Sequence, residues 1–212
     1  MKQRTIQILY GYWNEVRAGR LAPRRLEIEP SRIAGILPET FMLERTEANA
    51  FPFRLAGTRL CETFGWELRG TDFLSGWSEQ DRASLSRQLI TACEQGAAVL
   101  FTVEATADNL HRVELEAIVL PLIHTGSTIG RLVGAMSATT SPHWLGSLRL
   151  DKKRLARCEL IWPDGRPHSL VERAGWRAPF APSLSEARTA KEDRRNFRVL
   201  DGGLGRPKEE KH

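Results

Sequence analysis

With 212 residues and a mass of 23.9 kDa, the chain has the length of one domain with flanking material. The balance of 41% hydrophobic to 27% charged residues excludes a disordered chain. The net charge of +5 invites a nucleic-acid reading, but residues 31–144 carry nine Lys/Arg against thirteen Asp/Glu. The basicity therefore sits in the flanks, and the centre of the chain would repel phosphates.

Cys61, Cys93 and Cys158 are odd in number and scattered, which excludes a disulfide framework and a zinc finger and fits a reducing compartment. The run Ala117–Gly130 has fourteen residues and contains Pro121, so it is too short for a bilayer helix. The N-terminus lacks the apolar core of a secretion signal. A cytoplasmic protein is expected.

In chain order, Ile6, Leu9, Tyr10, Trp13 and Val16 recur at helical spacing and predict an amphipathic helix ending near Gly19. The stripe covers either the chain's own sheet or a second copy, and its two large aromatics favour a homodimer. Pro23 and Pro30 enforce an irregular stretch, and Ile33–Leu37 reads as a short helix stopped by Pro38. Phe41–Arg45 and Phe51–Ala56 read as strands, the second alternating as Phe53-Arg54-Leu55. A short helix from Thr58 ends at Gly65, and Gly70–Trp77 is a turn or helix. Ser78 caps a longer helix that Gly96 stops. Three strands follow, Ala98–Ala107, Arg112–Ile123 and Gly130–Thr139, joined at Asp108-Asn109 and Thr125-Gly126. Glu114 and Glu116 share a strand face and read as solvated.

This order predicts an α+β fold, a five-stranded antiparallel sheet with helices on one side, an N-terminal amphipathic helix and a C-terminal extension. The expected organisation is 1–30 helix and linker, 31–140 core, 141–180 basic Trp-containing extension, and 181–212 tail, partly disordered. No catalytic signature is legible, so an enzyme is not expected. The glycines of Gly202–Gly205 lack the lysine of a phosphate loop. Arg149, Lys152, Lys153, Arg154 and Arg157 mix with Trp144, Trp162 and Trp176; the mixture suits single-stranded nucleic acid, or more plainly a solvated face of a packed extension. Arg194–Leu200 is a further basic-apolar segment.

Arg54-Leu55-Ala56-Gly57-Thr58, running on to Phe64-Gly65-Trp66, resembles the early strand and helix of a PAS domain. Leu120-Pro121-Leu122, a short turn and Ile129–Met136 look like the last hairpin of such a domain. With the helix reading Tyr10-Gly11-Tyr12-Trp13, residues 5–140 are similar to the stand-alone PAS family of alphaproteobacteria (PAS_5-like). The resemblance implies a bacterial signalling or regulatory module with a small cavity, often dimeric through its N-terminal helix. It senses a ligand or partner and acts by contact.

Phe53, Leu55, Phe64, Phe73, Trp77, Leu89 and Met136, with Trp66, are the pocket candidates; plain core packing explains the same aromatics. Ile6, Leu9, Tyr10, Trp13 and Val16 are the dimer-helix candidates. No cofactor is required. The stretch Arg69–Trp77 lacks the cysteine of flavin photosensors, and the helix Ser78–Gly96 lacks a haem-ligating histidine, although His111 and His124 flank the next strand. Ser137-Ala138-Thr139 stands where such domains often end in an Asp-Ile-Thr-like triad, which puts helical coupling to an effector in doubt. The alternatives are a regulator binding nucleic acid through the basic flanks, and a haem or redox sensor.

Overall fold

From Ala98 onward the hydrophobic period falls to two. The computed structural model, which describes residues 1–126, 128–165 and 167, turns this stretch into an antiparallel meander. It comprises β3 (Ala98–Ala107), β4 (His111–Thr125) and β5 (Thr128–Ala138). The β3–β4 turn needs two left-handed residues and takes them from Asp108 (φ 47°) and Asn109 (φ 62°). β1 (Thr40–Glu44) adds to β5 and β2 (Phe53–Ala56) to β1, all antiparallel.

The extension supplies a sixth strand. β6 (Lys152–Ile161) pairs with β3, giving the order β2-β1-β5-β4-β3-β6. The sequence alone places this segment in the basic extension, and four of the strand's first six residues are basic. Pairing resolves them: Arg154 meets Glu104 across the strands at 2.7 Å, while Leu155 lies opposite Val103 on the inner face. Trp144 and Leu150, just upstream, are buried in the same core. The fold therefore continues past the expected core boundary at 140.

The helices divide between the two faces. α2 (Thr58–Phe64) ends in Gly65 at φ 75°, and α3 (Glu79–Gln95) is capped by Ser78, whose Oγ accepts from the Asp81 amide at 3.1 Å. With the Gly70–Trp77 turn they cover the inner face. The outer face belongs to α1 (Arg4–Arg17). Residues 117–122 of β4 are buried without alternation, which a sheet allows only when both faces are covered. Trp13 Nε1 donates to the Pro121 carbonyl at 2.8 Å.

Glu116 is a correction to the sequence reading. It is buried rather than solvated, and its carboxylate accepts from the Lys2 and Gln3 amides at 2.8 and 2.7 Å, capping the entry to α1. The α1 stripe is likewise taken by the chain itself. Ile6, Leu9 and Trp13 are at most 1% exposed; Tyr10 and Val16 are half-buried. None of these three buried residues is free to meet a second copy. Segments Arg194–Leu200 and Gly202–Gly205, with the 181–212 tail, lie outside the described residues.

Candidate functional site

Aromatic rings from three parts of the chain meet on the inner face. Phe41 on β1, Phe53 on β2 and Phe73 in the turn before α3 pack with centroids 5.6, 6.0 and 5.8 Å apart. Phe73 also meets Phe101 at 5.9 Å and Trp77 at 6.5 Å. The Phe41 ring lies flat on β5 because residue 134 is glycine: a Cβ there would overlap the ring.

Beside this cluster is a cavity of about 30 Å³, room for one or two waters, lined also by Phe64, Trp66, Leu68 and Met136. Next to it is a larger groove of about 390 Å³ that shares the lining residues Phe64, Trp66, Ser75 and Lys153. The groove adds Arg149, Leu150, Asp151 and Lys152. Its volume falls in the range of small-molecule sites, about 300–1,000 Å³.

Three donors at this groove lack conventional partners among the described residues. Lys153 enters from β6, opposite Ala105, and its ammonium sits 4.8 Å from the Trp77 ring centre with no ion pair. Burial pushes its pKa down to about 8, against the opposing pull of Asp72. The Asp72 carboxylate is itself occupied by the Phe51 and Leu74 amides. The Arg149 guanidinium lies 5.3 Å from the Trp66 ring centre, also without an ion pair. The Trp66 indole N–H is buried and finds no acceptor. Gly65 makes the Arg149 stacking reachable: the Arg149 Cα stands 2.9 Å from where a Cβ on residue 65 would be.

Of the sequence-predicted pocket residues, Phe53, Phe64, Phe73, Trp77, Met136 and Trp66 line the cavity. Leu55 and Leu89 do not. Leu55 is 54% exposed because a bulge at Arg54 breaks the alternation: Leu43 faces Phe53, while Met42 faces Leu55. Leu89 is wholly buried in the α3 core. Sequence reasoning missed Phe41 and the β6 cations, the latter because nothing short of the strand pairing brings residue 153 beside residue 77. Neither a thiol nor an imidazole is among the residues lining the cavity. Cys93 and Cys158 stand elsewhere, their pKa values pushed up to about 12 and about 11 by burial.

An antiparallel sheet with helices closing a small aromatic cavity on one face is the architecture of a sensor domain. Residues 1–137 match the PAS_5 family model, described as a PAS domain, and the chain belongs to that family. No curated protein matches the chain. Among solved structures it is similar to the Rhodobacter sphaeroides LOV protein, at 10% identity over 55% of this chain and 71% of that one, with a TM-score of 0.40. It is also similar to the PAS domain of a protein from Colwellia psychrerythraea, at 10% identity over 52% of this chain and 96% of that one, TM-score 0.39. An RNA-binding light-oxygen-voltage receptor matches at 12% identity over 71% of this chain and 37% of that one, TM-score 0.35. Among the described residues no helix is long and apolar enough to cross a membrane.

Proposed function

We propose that this PAS sensor domain is a non-enzymatic regulatory protein that binds a small molecule in the inner-face cavity and groove and signals by protein–protein contact. The observation that carries the reading is the groove itself: Phe64, Trp66 and Leu150 beside a buried indole N–H and a largely buried ammonium, neither with a hydrogen-bond or ion-pair partner among the described residues. A plain core satisfies its buried donors; a binding site leaves them for a ligand. The groove is lined from α2 and β6 and the cavity beside it from β2, so a ligand there would shift their packing and change the outer surface a partner reads. The partner is a signalling protein, and the module works as a homodimer whose contact lies outside the Ile6–Leu9–Trp13 stripe. Free thiols at all three cysteines favour a cytoplasmic setting.

The basic residues of β6 support a solvated sheet edge better than a nucleic-acid interface. Arg154 and Arg157 already hold Glu104 and Glu159, both at 2.7 Å. Native mass spectrometry of the freshly purified full chain tests the function: non-covalent mass that Trp66→Ala removes is the expected result. A bare chain that also gains no mass from an added metabolite pool would sink it.

A further inference from the structure

We propose that the groove between α2 and β6 is a site for a small monocarboxylate with an apolar body, its negative charge held by Lys153 and Arg149 and its body lying on Phe64, Trp66 and Leu150. The proposal rests on the ligand-sensing reading above and names the chemistry of the ligand.

Four observations carry it. The first is the placement of charge. Lys153 and Arg149 line one groove, each on a tryptophan face and neither with a carboxylate within ion-pairing distance among the described residues. Their neighbours on the same stretch are engaged: Lys152 donates to Asn109 Oδ1 at 2.5 Å, and Arg154 and Arg157 hold glutamates. Two cations are therefore left for an anion. The acids close by, Asp72 and Asp151, do not neutralise them at contact distance.

The second is the Trp66 indole N–H, buried with no acceptor. A buried donor left unmade costs free energy that a ligand oxygen recovers. The Lys153 ammonium and the Arg149 guanidinium are charge-assisted donors of the kind a carboxylate accepts from. The third is the apolar part of the wall, Phe64, Trp66 and Leu150, which suits the body of an organic acid. The fourth is that burial disfavours the charged form of Lys153, a cost that a bound anion would offset. Arg149 and Lys153 both lie beyond residues 1–137, so this anion site is a property of this chain's β6 side rather than of the segment matched to the family.

The test is calorimetric titration of the full chain with three probes: benzoate, its neutral isostere benzamide, and inorganic phosphate. Benzoate should bind at least tenfold more tightly than benzamide or phosphate. Lys153→Met and Arg149→Met should each remove that preference, and the circular dichroism spectra of both variants should match the parent. The Trp66 indole proton, assigned by its loss in Trp66→Phe, should move downfield as benzoate saturates. Equal affinity for benzoate and benzamide would overturn the carboxylate assignment and leave the ligand-sensing reading standing. Phosphate binding as tightly as benzoate would overturn the requirement for an apolar body. If no probe binds and the purified chain carries no non-covalent mass, both readings fall together.

Discussion

At the scale of single residues, Lys153 is the side chain whose chemistry and stability pull in opposite directions. Its ammonium is largely buried, rests on Trp77 and has no ion pair among the described residues, and burial lowers its pKa from 10.5 to about 8. The fall corresponds to roughly 3 kcal/mol of disfavoured charge, from which the cation–π contact recovers about 0.5–2 kcal/mol. Replacing it by methionine keeps the length and removes the charge, so Lys153→Met should stabilise the fold by about 1–3 kcal/mol at pH 7. The sign with pH is fixed by linkage. The folded-state pKa lies below the unfolded one, so between pH 8 and 10.5 the unfolded chain binds the extra proton and the parent gains stability as pH rises. The variant's advantage should be flat below pH 8, shrink through that window, and be nearly gone above it. Urea midpoints of parent and variant measured side by side from pH 6 to 11 check this. A variant less stable than the parent at pH 7 would mean that Lys153 is a structural cation rather than a binding one. Gly134 is the second residue of this kind. Gly134→Ala drives a methyl into the Phe41 ring, and overpacking of this sort costs typically 1–3 kcal/mol. It should also weaken probe binding, because Phe41 lines the cavity.

At the scale of elements, α1 shows how one buried carboxylate fixes a helix to a sheet. Glu116 reaches from β4 to two backbone amides ahead of the first turn, where the free N–H groups and the helix dipole favour a negative charge. Glu116→Ala should cost about 1.5–3 kcal/mol, the range for hydrogen bonds to charged groups. Amide exchange at Gln3–Gln7 should accelerate more than in β4 itself. Uniform acceleration across the molecule would mean that Glu116 supports the sheet rather than the helix entry. The helix itself, its heptad-like stripe and its end near Gly19 are legible in the residues, as are the caps at Ser78, Gly65 and Gly96 and the Asp108-Asn109 turn, since each depends on neighbours in sequence. The burial of Glu116 is not legible, because a charge alternating with Val113 and Leu115 looks solvated until a distant helix lands on it. Leu55 fails for a related reason. A bulge moves one residue to the other face, and nothing local to Phe53-Arg54-Leu55 announces it. Most of the cavity wall follows from local aromatic clustering; Lys153 reaches it only through the pairing of β6 with β3.

At the scale of the whole molecule, the sheet and the family segment do not end together. The match stops at residue 137, yet β3 is an interior strand only because β6 covers its other side. Removing everything after residue 140 would strip Trp144, Leu150, Leu155 and the rest of β6 from the core and leave the backbone of β3 unpaired along its outer edge. Eight partly or fully buried apolar side chains at about 1–3 kcal/mol each put the loss on the order of 5 kcal/mol or more, comparable to the whole stability of an ordinary domain. A fragment of residues 1–140 should therefore be only marginally folded, and its bare β3 edge should drive association that grows with concentration. The fragment also lacks Arg149 and Lys153, so adding benzoate should not rescue it, whereas the full chain should gain thermal stability as benzoate rises, following mass action. Melting both proteins over a benzoate series reads the two effects together. A fragment that melts where the full chain does would make β6 an appendage, and one that benzoate still stabilises would move the anion site back inside the family segment.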